Sequence, residues 1–212
     1  MVNSENAQNP NDITIRSYNA EVAGYIQHTP ATYQQHHTPL LHWINTTLSF
    51  IKNDDRILEI GSGFGRDARY IRTKGYNITC TDGASAFVDY LKAREWDAEL
   101  LNVLTDDIPP SYKMVFANAV IPHFTPEQFE IVLSKIINTL PKDGVFAFSV
   151  KQGRGEEWIT EKFEAKRFIH YWDPHFLKKC IERVGAEIVF WEEGIPGDLP
   201  SHMWINLTLR KQ

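Results

Sequence analysis

Three glycines at alternate positions, Gly61, Gly63 and Gly65, directly follow the short apolar run at 56–60. A turn without side chains lets the backbone press against a ligand, and the flanking residues limit which ligand. A phosphate-binding loop needs G-x-x-x-x-G-K-[ST], which is absent. A dinucleotide fingerprint needs G-x-G-x-x-G, whose sixth position here is Arg66. Glu59 stands two residues ahead of the first glycine. There it would repel a pyrophosphate and attract a ligand carrying an ammonium or a sulfonium; otherwise it pairs with Arg66 or Arg69. Asp82 closes the next strand-like run. A carboxylate there can accept hydrogen bonds from both hydroxyls of a ribose, cap the following helix, or do both. Gly83 behind it leaves room for the sugar. Asn102 and Val103 could set an amide beside an adenine edge and an aliphatic group on its face, although asparagine is also common at strand ends. These demands describe adenosine joined to an amino acid and include none for phosphate. A tight strand-to-helix turn with no ligand is the plain alternative.

Other groups could act on a second molecule. His123 follows a later strand by a few residues and could take a proton from an attacking hydroxyl, amine or thiol, or simply position its loop. The stretch 151–172 brings Lys151, Trp158, Arg167, His170, Tyr171 and Trp172. That mixture suits substrate contact, with Arg167 for a carboxylate and aromatics for a ring or a cation; it equally suits a lid with a small satellite core. His28, His36, His37 and His42 crowd the N-terminal region without a nearby cluster of Cys or Glu. No metal site is expected from them, and they are read as lining or covering a pocket.

These residues need elements to hold them. Residues 1–12, MVNSENAQNPND, read as a disordered tail, and a helical pattern follows from Ser17 to Phe50. Within it Thr38 is a candidate N-cap and Pro39 a first helical residue, with Leu40, Ile44, Leu48 and Ile51 on one face. From Arg56 onward strands and helices alternate. RILEI, YNITCTD, AELLNV, YKMVFANAV and VFAFSV read as strands. GRDARYIRTKG and ASAFVDYLKAR read as helices, and TPEQFEIVLSKIINTL is the clearest one. In it Thr125, Pro126 and Gln128 form a capping box, and Phe129, Val132, Leu133, Ile136, Ile137 and Leu140 form the apolar stripe. Asp173-Pro174 opens a further helix that stops at Gly185. AEIVFWEE and MWINLTLRK close the chain with no helix between them, which favours antiparallel pairing. Trp191 and Trp204 in these strands are expected in the core. The pattern is an α/β protein with a doubly wound, mostly parallel sheet, whose ligands lie at the carboxyl ends of the strands.

The chain has 212 residues, enough for one large domain with a sizeable core. Its net charge of −5 and pI near 5.9 argue against a broad nucleic-acid surface. Cys80 and Cys180 are expected as reduced core residues, and no apolar run approaches a membrane span. A cytoplasmic protein is expected, monomeric or homodimeric, with neither nucleic acid nor membrane as partner.

At these residues the chain resembles the class I S-adenosylmethionine-dependent methyltransferases, over about residues 15–210. LEIGSGFG is similar to their first motif, ITCTDGA to their second, and MVFANAVIPHF to the segment after their fourth strand. GRDA after the glycines further resembles tellurite-resistance methyltransferases. The resemblance implies a Rossmann-like seven-stranded sheet of order 3-2-1-4-5-7-6 with strand seven antiparallel, in a single domain spanning 1–212. It implies an N-terminal helical lid over 13–52 and a substrate-side insertion at 151–172. The cofactor would be S-adenosyl-L-methionine and its product S-adenosyl-L-homocysteine, with in-line methyl transfer to a small molecule. Gly61 and Gly63 would approach the methionine part, with Ser62 standing where Cys or Ala is frequent. Asp82 would hold the ribose, Asn102 and Val103 the adenine. Asn118 and Ala119 would line the site near the sulfonium, and Tyr18 and Tyr25 would face the methionine end or merely pack. Arg66 either holds the methionine carboxylate or sits solvated in its helix's first turn. Lys151, Arg167, Tyr171 and Trp172 are the substrate-side candidates. Two other classes compete: a nicotinamide-dependent oxidoreductase, and a non-catalytic module that binds S-adenosylmethionine.

Overall fold

The computed structural model describes residues 9–33, 37–160, 164–197 and 203–212. Five strands run parallel through the middle of the molecule: β1 (Arg56–Ile60), β2 (Asn77–Asp82), β3 (Ala98–Leu100), β4 (Met114–Ala117) and β5 (Val145–Lys151). A separate hairpin, β6 (Glu156–Ile159) and β7 (Arg167–His170), stands beyond β5. The closing strands β8 (Ala186–Pro196) and β9 (Met203–Lys211) pair antiparallel, and β9 also pairs antiparallel with β5. The main sheet therefore has the order β3-β2-β1-β4-β5-β9-β8. With the hairpin set apart, this is the expected 3-2-1-4-5-7-6 arrangement.

Alternation along the strands sorts two cores. Leu58, Val115, Phe146 and Leu207 face α6 (Pro126–Thr139) and α7 (Pro174–Arg183). Ile57, Phe116 and Ala147 face the other layer, α3 (Thr38–Leu48), α4 (Arg66–Thr73) and α5 (Ser85–Lys92). Period-two burial on both faces is what a parallel sheet covered by helices requires. The α6 boundary follows its local chemistry: Thr125 and Gln128 form both bonds of the capping box, and Phe129, Val132, Leu133, Ile136 and Ile137 are buried. Asp173 caps α7 through the His175 and Phe176 amides. Cys80 and Cys180 are buried free thiols.

Several boundaries differ from expectation. Helix α1 (Pro10–Ala20) begins inside the stretch read as a tail, because Asn9 caps it by accepting the Asn11 amide at 3.0 Å; residues 1–8 lie outside the described residues. After α1 comes α2 (Val22–His28). Helix α3 starts at Thr38 with His37 at the cap, one residue earlier than read. It packs on the core, with Trp43 buried and its indole donating to Thr208 at 3.2 Å. The insertion at 151–172 contains the β6–β7 hairpin, which was not read as strands. No described helix is long and apolar enough to cross a membrane.

Candidate active site

The carboxyl ends of β1, β2 and β4 open into a cavity of about 600 Å³, roofed by α1 and α2 and closed on one side by β7 and β9. The glycine turn forms its floor. Gly61 has φ +68°, and a Cβ there would lie 2.4 Å from a Val120 methyl. Gly63 has φ +54°, and a Cβ there would lie 3.8 Å from the Tyr25 ring. Both conformations are costly for side-chain-bearing residues. The turn is stitched to β2 at three points. The Ser62 amide donates to the Thr81 carbonyl at 2.9 Å, and the Thr81 amide returns to Ser62 Oγ at 3.1 Å. The Gly63 amide donates to Asp82 Oδ2 at 2.9 Å. Asp82 Oδ1 accepts from the Ala84 amide at 2.8 Å, so Asp82 braces the turn instead of capping α5, whose N-cap is Ala84. Burial pushes the Asp82 carboxyl up to about 6, against the two amide bonds that lower it.

The expected residues separate into wall and backing. Tyr18, Tyr25, Gly61, Gly63, Arg66 and Asp82 line the cavity, as do Gly83, Asn102, Val103, Asn118, Ala119 and His123. Glu59 and Ser62 do not. Glu59 points toward α4, where burial and the neighbouring Asp67 push its carboxyl well up. No ion pair joins it to Arg66 or Arg69 among the described residues. The space expected beside Gly83 for a sugar is shared with Ile15, which would meet a Cβ there at 2.9 Å. Asn102 is already engaged: its Nδ2 donates to Asn11 of α1 at 2.9 Å and its Oδ1 accepts from Leu104 at 3.1 Å.

Beyond the glycines, β4 ends in a strained step. Ala119 has φ +59°, held by its amide donating to Ser149 Oγ at 2.7 Å. The Ser149 hydroxyl in turn donates to Asn118 Oδ1 at 2.7 Å, and Asn118 Nδ2 donates to Asp67 Oδ2 at 2.7 Å. Tyr33 also donates to Asp67, and the Arg66 guanidinium lies 4.9 Å from the Tyr33 ring centroid. Arg66 is thus held between Asp67 and Tyr33 at the cavity edge, not loose in the first turn of α4.

The far end carries different chemistry. His123 Nδ1 contacts the Phe168 carbonyl at 2.7 Å, so that nitrogen bears the proton and Nε2 the lone pair. The Tyr18 hydroxyl donates to Nε2 at 3.0 Å and stands 3.4 Å from an Arg167 nitrogen. Burial first, then Arg167 and Lys151, push His123 down to about 4, while the Phe168 carbonyl opposes. Lys151 and Arg167 line the cavity, but Tyr171 and Trp172 do not. Strand alternation explains the split in the hairpin: Arg167 and Ile169 face inward, Phe168 and His170 the other way. Trp172 is buried in the core against Phe129, and Tyr171 donates to Glu157. Trp158 is partly exposed and packs edge-on against Phe168.

Of the four N-terminal histidines, His37 lines the cavity, His28 and His42 are exposed, and His36 lies outside the described residues. No metal-binding cluster occurs among the described residues. Sequence reasoning missed Asn11, Thr14, Ile15, Trp204 and Asn206 on the wall. Trp191 packs against the core as expected, whereas Trp204 faces the cavity.

The family described as "Methyltransferase domain" matches residues 32–189. No curated protein matches the chain in a sequence comparison. Among solved structures, the fold is similar to 1,6-didemethyltoxoflavin-N1-methyltransferase of Burkholderia thailandensis, bound to 1,6-didemethyltoxoflavin and S-adenosylhomocysteine. That match has TM-score 0.72 and 17% identity, covering 100% of this chain and 93% of the other. The DhpI–SAH complex matches with TM-score 0.74 and 16% identity over 97% and 98%. Magnesium protoporphyrin IX methyltransferase of Synechocystis PCC 6803, with bound SAM, matches with TM-score 0.72 and 12% identity over 99% and 100%.

Proposed function

The chain belongs to the methyltransferase-domain family, and on that premise we propose that it transfers a methyl group from S-adenosylmethionine to a small molecule. One observation carries this reading: a single cavity has the Asp82–Gly63 brace at one end and His123, Lys151 and Arg167 at the other. The first end suits an adenosine carrying an amino acid. Gly61 and Gly63 offer bare backbone, Asp82 keeps lone pairs for two ribose hydroxyls, and Val103 offers an apolar face. Arg66 stands at the edge as a partner for a carboxylate.

Bound S-adenosylmethionine supplies a methyl group already activated by its sulfonium. The protein's own share is then orientation and exclusion of water, which together can supply roughly 7–11 kcal/mol in favourable cases. Tyr18 and Tyr25 cover the site from the lid, and Asn118 and Ala119 shape the wall between the two ends. The enclosed size and acidic net charge favour a small-molecule acceptor over a nucleic acid. The two buried free thiols suit a reducing, cytosolic setting.

Titration calorimetry tests the reading. S-adenosylhomocysteine is expected to bind, and NAD and NADP are not. Binding of a nicotinamide dinucleotide without S-adenosylhomocysteine reverses the choice in favour of an oxidoreductase. Cofactor binding with no methyl transfer to any metabolite pool favours the non-catalytic module.

A further inference from the structure

Building on the methyl-transfer reading, we infer that Asn206 recognises the methyl acceptor, and that this acceptor is a planar heterocycle with a hydrogen-bond donor beside an acceptor on one edge, as in a lactam or an amino-azine.

An uncommitted side chain points there. Asn11, Asn102, Asn118 and Asn206 all line the cavity. Three of them are engaged within the protein: Asn102 donates to Asn11, and Asn118 joins Ser149 to Asp67. The Asn206 side chain makes no hydrogen bond among the described residues, although the residue is only 3% exposed. Glu192 stands opposite it in the β8–β9 register and keeps a buried carboxylate oxygen without a hydrogen bond, yet even this group does not take the Asn206 amide. A buried amide left bare is destabilising, so a molecule in the cavity completes it. A bound acceptor and a bound water are the two candidates, and the position of Asn206 favours the acceptor.

Asn206 lies opposite Ser149 in the β5–β9 register, and β5 is the neighbour of β4. With strands about 4.8 Å apart, this puts it roughly 10 Å along the sheet from β4, on the side away from Asp82 and β2. The cofactor reading fills the end formed by β1, β2 and β4, so Asn206 is left to the second molecule. Thr208, Asn206 and Trp204 share one face of β9. Thr208 is taken by Trp43 and Thr47 of α3. Asn206 and Trp204 come next along that face, and both line the cavity.

The amide and the indole together set the ligand's chemistry. A carboxamide presents an acceptor and an N–H donor in one plane, so its complement is a coplanar donor–acceptor pair. Trp204 adds a flat apolar surface, which suits a ring. Leu40 and Ile195 continue the apolar wall. An amide set among such residues fixes the ligand's orientation. It also discriminates sharply, because a ligand without the matching edge leaves the buried amide unpaired.

The test uses the full chain loaded with S-adenosylhomocysteine and titrated with 2-quinolone and 2-aminoquinoline. Coumarin, the lactone of the same shape as 2-quinolone, and naphthalene, which has no polar edge, are their controls. At least one nitrogen heterocycle is expected to bind about tenfold or more tightly than its control. Asn206→Leu, close to asparagine in size, is expected to cut that ratio to within about twofold while still taking up S-adenosylhomocysteine, and to leave the Tm of the free protein unchanged or raised. Asn206→Asp offers acceptors only, and is expected to weaken 2-quinolone relative to 2-aminoquinoline, which it can hold as a two-donor cation. Controls that bind as well as both heterocycles would assign the amide to water and overturn the inference. It is also overturned if neither heterocycle binds, or if the preference survives in Asn206→Leu. A lowered Tm in Asn206→Leu together with an unaltered preference in Asn206→Asp marks the amide as structural and overturns it too. Failure to load with S-adenosylhomocysteine overturns the proposed function instead, so the two failures are told apart.

Discussion

The Asp82 carboxylate accepts the Gly63 amide at 2.9 Å, so the end of β2 and the turn after β1 are one unit. Burial pushes this carboxyl up to about 6 in the folded protein. Hydroxyl donors from a bound ribose favour the ionised form, so the bound-state value lies lower. Affinity for S-adenosylhomocysteine should therefore be full above pH 6 and fall by up to about tenfold per unit below it. His123, pushed down to about 4, stays neutral across this range. Asp82→Asn should weaken binding by roughly 1.5–3 kcal/mol at pH 7.5 and flatten the pH dependence. Calorimetry at pH 5, 6 and 7.5 measures both; an equally steep slope in the variant would assign the titration to another group.

Gly61 meets Val120 so closely that the two positions should be energetically coupled. Gly61→Ala places a Cβ 2.4 Å from the Val120 methyl at φ +68°. Val120→Ala removes the clash but not the backbone strain, about 1–2 kcal/mol for a left-handed residue. The double variant should thus recover part of the stability lost in Gly61→Ala. Denaturant melts of the four proteins in the cycle test this, and strictly additive losses would contradict the contact.

Which of these parts could be read in advance depends on how local their causes are. Helix α6 was legible because its capping box and its apolar stripe lie within one helix's length. The mostly parallel sheet and its antiparallel closing pair followed from alternation and a helix-free last connection, whereas the strand order came from the family resemblance. The start of α1 was hidden because the residues it buries, Asn11, Thr14 and Ser17, are polar and show no apolar period. The β6–β7 hairpin was hidden because its strands have four residues each and gain their order from pairing with each other. At the site, Asp82 was legible as a strand-end carboxylate. Glu59 is buried off the cavity wall, and its contacts with Ser62 and Cys80 depend on strand pairing and on the turn, which local pattern does not show. Trp204 could be assigned to a strand face, but what covers that face is a tertiary fact.

Ser149 holds the strained end of β4. It accepts the Ala119 amide and donates to Asn118 Oδ1, both at 2.7 Å, and is almost fully buried. Ser149→Ala leaves two part-buried polar groups without that partner, at up to about 1–3 kcal/mol each where water does not replace it. A loss of about 2 kcal/mol in stability is expected, together with weaker binding of S-adenosylhomocysteine, because Asn118 and Ala119 lie on the wall. A stability loss with unchanged affinity would separate this bridge from the site.

Helix α1 docks through hydrogen bonds where most helices use an apolar face. Asn11 accepts from Asn102 at 2.9 Å, Thr14 Oγ1 accepts the Phe168 amide at 3.0 Å, and Ser17 Oγ donates to the Lys166 carbonyl at 2.5 Å. Each of these groups can exchange its partner for water at a net cost of only about 0.5–1.5 kcal/mol, so undocking is cheaper than extracting an apolar helix of equal length. Tyr18 adds its hydroxyl to His123 and its ring to the aromatic group around Phe87. The helix should therefore open far more often than the rest of the protein unfolds, giving ligands a way in. Hydrogen exchange should show residues 10–20 exchanging well ahead of α6, and slowing when S-adenosylhomocysteine binds beneath them. Thr14→Val keeps the shape, removes the Phe168 acceptor, and should speed exchange in α1 and ligand release together while shifting global stability by less than about 2 kcal/mol. Exchange in α1 as slow as in α6, in the free protein, would mean that the helix is a fixed wall and that ligands enter elsewhere.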